Sequence, residues 1–415
     1  DQANGNSNIT ITGNGHLNAA PSNVSDWTGV EITQILSFKG GATIIECDNS
    51  PNQYDETKRC KNIEFSVKNI LGNIYTEVGV CHNGDRSKSK LGGIQFTNCD
   101  SVTVRNVNMQ DWGREGINLD NCYNSTVSNV HAIGNSNVPT KSWSALQVDG
   151  SFNKIENIYV ENAGASSVGI DSKYSVVNNI NSTNNRHHHG VNFGHDGFPA
   201  SGTVASNITI TNAGTIGGPA GLNCVQPENP EVDPPARCYN GINIGNGTED
   251  FSLSNVYIKN TFTHGINISA GASNVRITNV KIDQAGKHGI KIWKSEVWAN
   301  NINISNCNSN GVQIDHSGHN YMFNNTTIND SIGVGFSIGL ASEAQGNSDL
   351  KLTNCDFSIG YQGGAFSKDS TIKYNLLNTK LGSDDSFGGF SISGMTPGVV
   401  DQIYNSNVRE RSRII

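Results

Sequence analysis

Gly241-Ile242-Asn243-Ile244-Gly245, Gly265-Ile266-Asn267-Ile268-Ser269, Gly289-Ile290-Lys291-Ile292-Trp293 and Gly311-Val312-Gln313-Ile314-Asp315 repeat one phrase at intervals of about 22 to 24 residues. Earlier copies are Gly116-Ile117-Asn118-Leu119-Asp120 and Gly190-Val191-Asn192-Phe193-Gly194, and Gly335-Phe336-Ser337-Ile338-Gly339 is a later one. Ala145-Leu146-Gln147-Val148-Asp149 and Gly169-Ile170-Asp171-Ser172-Lys173 read as degenerate copies. A recurring unit of this length marks a solenoid.

A second column runs in step with the first. Asn98, Asn106, Asn129, Asn157, Asn179, Asn212, Asn255, Asn279, Asn306, Asn325 and Asn354 recur once per repeat, most of them before a small apolar residue. Apolar and polar residues alternate around these positions, as in a sheet buried on one face. No repeat offers the i, i+3, i+4 spacing of a helical solenoid. The reading is an all-β chain, a parallel β-helix of about 21–24 residues per rung, with equivalent residues stacked about 4.8 Å apart. Asn tolerates left-handed backbone, and stacked amides bond from rung to rung, so the Asn column reads as a structural ladder at a turn.

The organisation has three parts: weaker rungs or a cap over residues 1–90, the regular coil over 91–360 with a Pro- and Gly-rich loop at about 196–240, and a C-terminal cap or subunit-contact region over 361–415. No stretch is long and apolar enough to span a bilayer. No basic-then-apolar leader opens the chain, as in a mature protein, a fragment or one not exported by that route. A net charge of −8 argues against nucleic acid as the main partner. Among nine cysteines, Cys99, Cys307 and Cys355 follow the Asn ladder and read as buried free thiols. Cys47 with Cys60, and Cys224 with Cys238, each bracket a polar loop and are either local disulfides or free. No paired CxxC points to zinc, and no metal site is expected.

The third and fifth positions of the repeated phrase face outward. They form a polar strip suited to an extended, hydroxyl-rich polymer, with Asn118, Gln147, Asn192, Lys291 and Trp293 as candidate binding residues. His264 and His288, each just before the lead glycine, and Arg186 join them. Asp120 and Asp149 share a column, which sets their backbones about 4.8 Å apart. Asp171 is read as displaced by two residues along its strand, roughly 8 Å from Asp149. Glycosidases need one protonated and one ionised carboxyl, and close stacking raises the pKa of one of them. The alternative is a solvated acidic face, or a calcium site, the one cofactor such a groove suggests. The run Arg186-His187-His188-His189 places one or two imidazoles beside Lys173. A base there is what β-elimination of a uronate requires, so Lys173 and His189 are candidate catalytic residues for that chemistry.

The paired Asn and Gly-Ile-x-Ile columns resemble those of the right-handed parallel β-helix superfamily of carbohydrate-active proteins, the pectate-lyase-like group, over most of residues 90–360. The polygalacturonase strings are absent apart from a faint echo at Gly289-Ile290-Lys291. Gln313-Ile314-Asp315-His316 looks like the pectate lyase Trp-Ile-Asp-His string with Gln in place of Trp. Within the group the chain is most similar to bacteriophage tailspikes. That resemblance implies an extracellular or virion-associated homotrimer that binds and depolymerises a capsular or O-antigen polysaccharide. It leaves open a secreted lyase or epimerase acting on a uronate polymer, and a non-catalytic carbohydrate-binding spike or adhesin.

Overall fold

The computed structural model describes residues 7–18, 34–38, 60–71, 92–97, 99–110, 115–134, 144–163, 166–185, 188–195, 197–214, 239–293, 295–315, 320–329, 332, 334–338, 348–357, 362–366, 372–377, 380–381, 390–392 and 402–404, with side chains within 96–355. The described residues contain strands, turns and bends but no helix, and no helix is long and apolar enough to cross a membrane. They fall into two compact units, one ending at Gly194 and the other beginning at His195.

In the first unit each coil contributes a short strand and a long one. The short strands Gly92–Thr97, Ile117–Tyr123, Leu146–Ser151, Val168–Lys173 and Val191–Phe193 pair in parallel succession. So do the long strands Cys60–Leu71, Cys99–Gln110, Thr126–Ile133, Lys154–Glu161 and Val176–Thr183. The second unit repeats the plan. Ile242–Ile244, Ile266–Ile268, Ile290–Ile292 and Val312–Ile314 stack as short strands. Val204–Ala213, Ser252–Thr261, Val275–Ala285, Val297–Ser305 and Asn320–Asn329 stack as long ones. Parallel pairing continues to Phe390–Ile392 and Gln402–Tyr404, although Gln362-Gly363-Gly364-Ala365-Phe366 no longer spells the repeat.

The alternation of the sequence puts Val127, Ile155 and Val177, or Val148, Ile170 and Phe193, one above another with at most 1% of their surface exposed. Burying a side chain of this size contributes about 1.5–3 kcal/mol. Each apolar residue packs on its equivalents above and below, so the core is shared between coils. The lead glycines are needed for close approach: a Cβ on Gly265 would lie 2.6 Å from the Gly289 carbonyl oxygen and 2.6 Å from Ile282.

The Asn ladder is present, but it is two ladders. Asn106, Asn129, Asn157 and Asn179 adopt φ of 54 to 58°, and Asn129, Asn157 and Asn179 donate through Nδ2 to the Oδ1 of the Asn one coil before at 3.0, 3.0 and 2.8 Å. The inserted left-handed residue turns the long strand through a corner and resets its in–out alternation. In the second unit Asn207, Asn255, Asn279 and Asn301 are linked in the same way. Asn212 and Asn306, expected in that column, belong to another five residues on, where Asn260 bonds to Asn212 at 2.8 Å and Asn306 to Asp283 at 2.7 Å. Both columns place Asn before an apolar residue at a left-handed corner, so local sequence does not separate them. Asn98 lies outside the described residues.

Cys99, Cys307 and Cys355 are buried thiols outside any disulfide, as is Cys122. Cys47, Cys224, Cys238 and the side chain of Cys60 lie outside the described residues, as do residues 215–238 of the Pro- and Gly-rich loop.

Candidate functional site

Strand register decides which outward side chains meet. Leu146-Gln147-Val148-Asp149 pairs residue for residue with Val168-Gly169-Ile170-Asp171. Asp171 is therefore directly beside Asp149, not displaced by two residues, and their backbones are about 4.8 Å apart. The misplacement comes from Gly169, read as the lead glycine of its repeat. It occupies the outward third position, where it shows no side chain to declare its facing. Val168 is the first inward residue, and Lys173 consequently pairs with Ser151 and falls outside the carboxylate column.

On the other side of Asp149, Leu119 pairs with Val148, which brings Asp120 to the Asp149 level. The pairing is irregular between Leu119 and Cys122, and Asn121 turns the chain there at φ 51°. One column thus carries Asp120, Asp149 and Asp171 on successive coils. It continues to Gly194, whose N–H donates to the Ile170 carbonyl at 2.8 Å.

The neighbouring column carries Asn118, Gln147, Gly169 and Asn192. A Cβ on Gly169 would lie 2.0 Å from Gln147 Oε1, so the glycine makes room for the Gln147 amide to lie across the next coil. From there Gln147 Nε2 donates to Asp149 Oδ1 at 3.0 Å and to Asp171 Oδ2 at 2.5 Å. Asp171 is buried and Asp149 half-buried. Burial and then the negative charge of Asp171 push the Asp149 carboxyl up to about 8, against the Gln147 hydrogen bond, which holds it down; Asp120 adds to the rise. At neutral pH Asp149 is a protonated acid between two further carboxyl groups. Asn118 Oδ1, one column over, is buried and accepts no hydrogen bond from the described residues.

A buried polar network anchors the turn after this column. Asn153 Oδ1 accepts the Ser125 N–H at 2.9 Å, and Asn153 Nδ2 donates to the Cys122 carbonyl at 2.9 Å and to Ser172 Oγ at 3.0 Å. The Asn153 N–H donates to Ser175 Oγ at 3.0 Å. These bonds tie three coils together inside the turn and give the carboxylate strands a rigid end.

The remaining candidates are distributed differently. Lys173 is exposed at the end of its strand. His189 is buried, with its ring edge-to-face with His188 at 4.5 Å, and His188 Nδ1 lies 2.6 Å from Ser166 Oγ. Asn192 is half-buried in the Gln147 column, and Arg186 lies outside the described residues.

In the second unit His264 and His288 stack at 5.0 Å and 7°. The His288 N–H donates to His264 Nδ1 at 3.3 Å and the Asn310 N–H to His288 Nδ1 at 3.2 Å, so these imidazoles join coil to coil. Burial, and then Lys291, push His288 down to about 4, which keeps it neutral. Lys291 Nζ pairs with Asp315 Oδ2 at 3.1 Å, and Gln313 Nε2 donates to Asp315 Oδ1 at 2.9 Å. Trp293 is exposed. Among the described residues no group of three or more His, Cys, Asp or Glu converges to hold a metal ion.

Two exposed aromatics, Phe152 and Tyr174, went unread in the sequence. The available signal was their position: they occupy turns where other coils carry Asn or Asp.

Residues 240–396 match the family model described as the right handed beta helix region. Among curated proteins, none matches the sequence. Among solved structures, a double mutant of the periplasmic alginate epimerase AlgG aligns with a TM-score of 0.51 and 9% identity, over 78% of this chain and 75% of that one. Pectate lyase Pel9A aligns with a TM-score of 0.45 and 11% identity, over 89% and 83%. The Dettilon tailspike protein aligns with 0.39 and 12%, over 78% and 63%. The parallel coils, the Asn ladders and the family match agree on one architecture: the chain has the fold of the right-handed parallel β-helix.

Proposed function

We propose that this chain depolymerises a polysaccharide by hydrolysing its glycosidic bonds at the Asp120–Asp149–Asp171 column. The observation that carries the reading is the register of Asp149 between two carboxyl groups, in surroundings that keep it protonated at neutral pH. Asp149 then donates its proton to the leaving oxygen. Asp120, the less buried neighbour, attacks the anomeric carbon as the glycosidic C–O bond breaks; water then displaces Asp120 from that carbon and gives its proton to Asp149, while Asp171 favours the protonated form of Asp149. Adjacent coils place their backbones about 4.8 Å apart, near the roughly 5–5.5 Å between carboxyl groups that accompanies retention of configuration.

A lyase would need a base at Lys173 or His189. His189 is buried against His188, and Lys173 is outside the carboxylate column, so hydrolysis is preferred. An extracellular or virion-associated site of action and a homotrimer complete the proposal through the tailspike resemblance. The deciding experiment incubates the protein with a panel of bacterial capsules and plant and algal polysaccharides, and follows reducing ends and unsaturated uronate absorbance together. Reducing ends without that absorbance are expected. Both signals rising together would replace hydrolysis with elimination.

A further inference from the structure

Phe152 and Tyr174 stand at the same turn on successive coils, two residues before the paired Lys154 and Val176. Their rings stack at 5.4 Å with 17° between planes, yet 57% and 58% of the two residues remains exposed. Both hold left-handed backbone, φ 59° and 52°. That conformation is uncommon outside Gly, Asn and Asp, and an outlier for a bulky side chain. One coil earlier the place belongs to Asn124, with φ 52°, whose Nδ2 donates to Asp100 Oδ1 at 3.0 Å. In the second unit the corresponding turns carry Asp250 and Asn274, which are joined by a hydrogen bond. Phe152 and Tyr174 therefore give up both the backbone preference and the ladder bond of their position, and burial does not compensate. Strain held by residues that the core does not use points to work at the surface.

The turn also has a definite neighbour. Phe152 follows Asp149 by three residues and Tyr174 follows Asp171 by three, so the stacked rings continue the carboxylate site along the coil. Sugar rings present a face of C–H groups that packs on the electron-rich face of an aromatic ring. Three carboxyl groups beside the ledge, on a chain of net charge −8, disfavour a polyanion.

We propose that Phe152 and Tyr174 form the stacking ledge of a subsite for an uncharged pyranose polymer, a reading that rests on the polysaccharide hydrolysis proposed above. Its test is affinity electrophoresis of the Asp149→Asn variant, which does not consume the polymer, in native gels containing dextran, laminarin, galactomannan, pectate or alginate. Retardation is expected in at least one neutral gel and in neither polyanion. Adding Phe152→Asn and Tyr174→Asn, the residue type native to this turn, should weaken retardation at least roughly tenfold while Tm holds or rises. Failure of every neutral gel to retard the protein, retention by a polyanion alone, or unchanged retardation by the double aromatic variant each overturns the proposal. A fall in Tm without loss of retention would show that the rings serve only the coil, and overturns it too. A neutral polymer held through the two rings but never cut by the wild-type protein would leave the ledge standing and remove the hydrolase.

Discussion

The side-chain amide of Gln147 occupies the space that a Cβ on Gly169 would fill, and from that space it binds the carboxyl groups of Asp149 and Asp171 together. A missing side chain on one coil thus becomes the seat for a side chain from the coil before it. The electrostatics of the carboxylate column depend on this contact, because the Gln147 bond is the one influence that favours the ionised form of Asp149.

Gly169→Ala should evict the Gln147 amide. Without its hydrogen bond the Asp149 carboxyl rises further, so the alkaline limb of the pH–rate profile should move to higher pH while kcat falls. Gln147→Ala should move the limb in the same direction. An unmoved limb in both variants would show that the amide does not tune the acid.

Asp149→Asn keeps the shape of the site and removes its proton donor. Polysaccharide turnover should fall by roughly 10²-fold or more, with polymer binding retained. Asp171→Asn should lower the Asp149 pKa by removing its largest charged neighbour, and so pull the alkaline limb to lower pH. Reducing-end assays across pH check both. Full activity in Asp149→Asn sinks the hydrolase assignment.

Stability should carry the same signature. Between the ordinary carboxyl value of 3.8 and about 8, folded Asp149 keeps a proton that the unfolded chain has lost. The folded state binds more protons there, so stability declines as pH rises across that window and is level above it. Asp149→Asn should therefore raise Tm at pH 8 and match wild type near pH 4. A gap independent of pH would contradict the assignment.

His288 should act in the opposite sense. Its folded value, about 4, lies below the ordinary 6.5, so the unfolded chain takes up a proton first as pH falls. Its contribution is complete above pH 6.5 and is lost as pH drops toward 4. Two coils before His288 an asparagine has the same role: Asn240 Oδ1 accepts the His264 backbone N–H at 3.3 Å. His288→Asn should keep an acceptor without the titration, and its Tm should fall less between pH 7 and pH 4. An equal acid loss in the variant would place the sensitivity elsewhere.

How much of this was legible in the sequence follows from what each signal encodes. Alternation and the lead glycines specify inward and outward faces, so Leu146, Val148 and the carboxylate column at Asp120 and Asp149 could be placed from the chain alone. Register is encoded only where side chains differ between faces. At Gly169 that information vanishes, and Asp171 slid by two positions. Asn207 and Asn212 carry the same local signal, because both are left-handed corners before apolar residues. Phe152 and Tyr174 look like ordinary core aromatics until the turn geometry shows that they point out.

Because the carboxyl groups sit on successive coils, the backbones that bear them are spaced in whole steps, about 4.8 Å for one and about 9.6 Å for two. The two stereochemical courses of glycoside hydrolysis require about 5–5.5 Å and about 6.5–9.5 Å. A coil of this kind therefore chooses between them as a digital instrument would, by which rung bears the second carboxyl. Moving that group from the Asp120 level to Thr97, its partner one coil back, would change the outcome by one unit of pitch without bending a single strand.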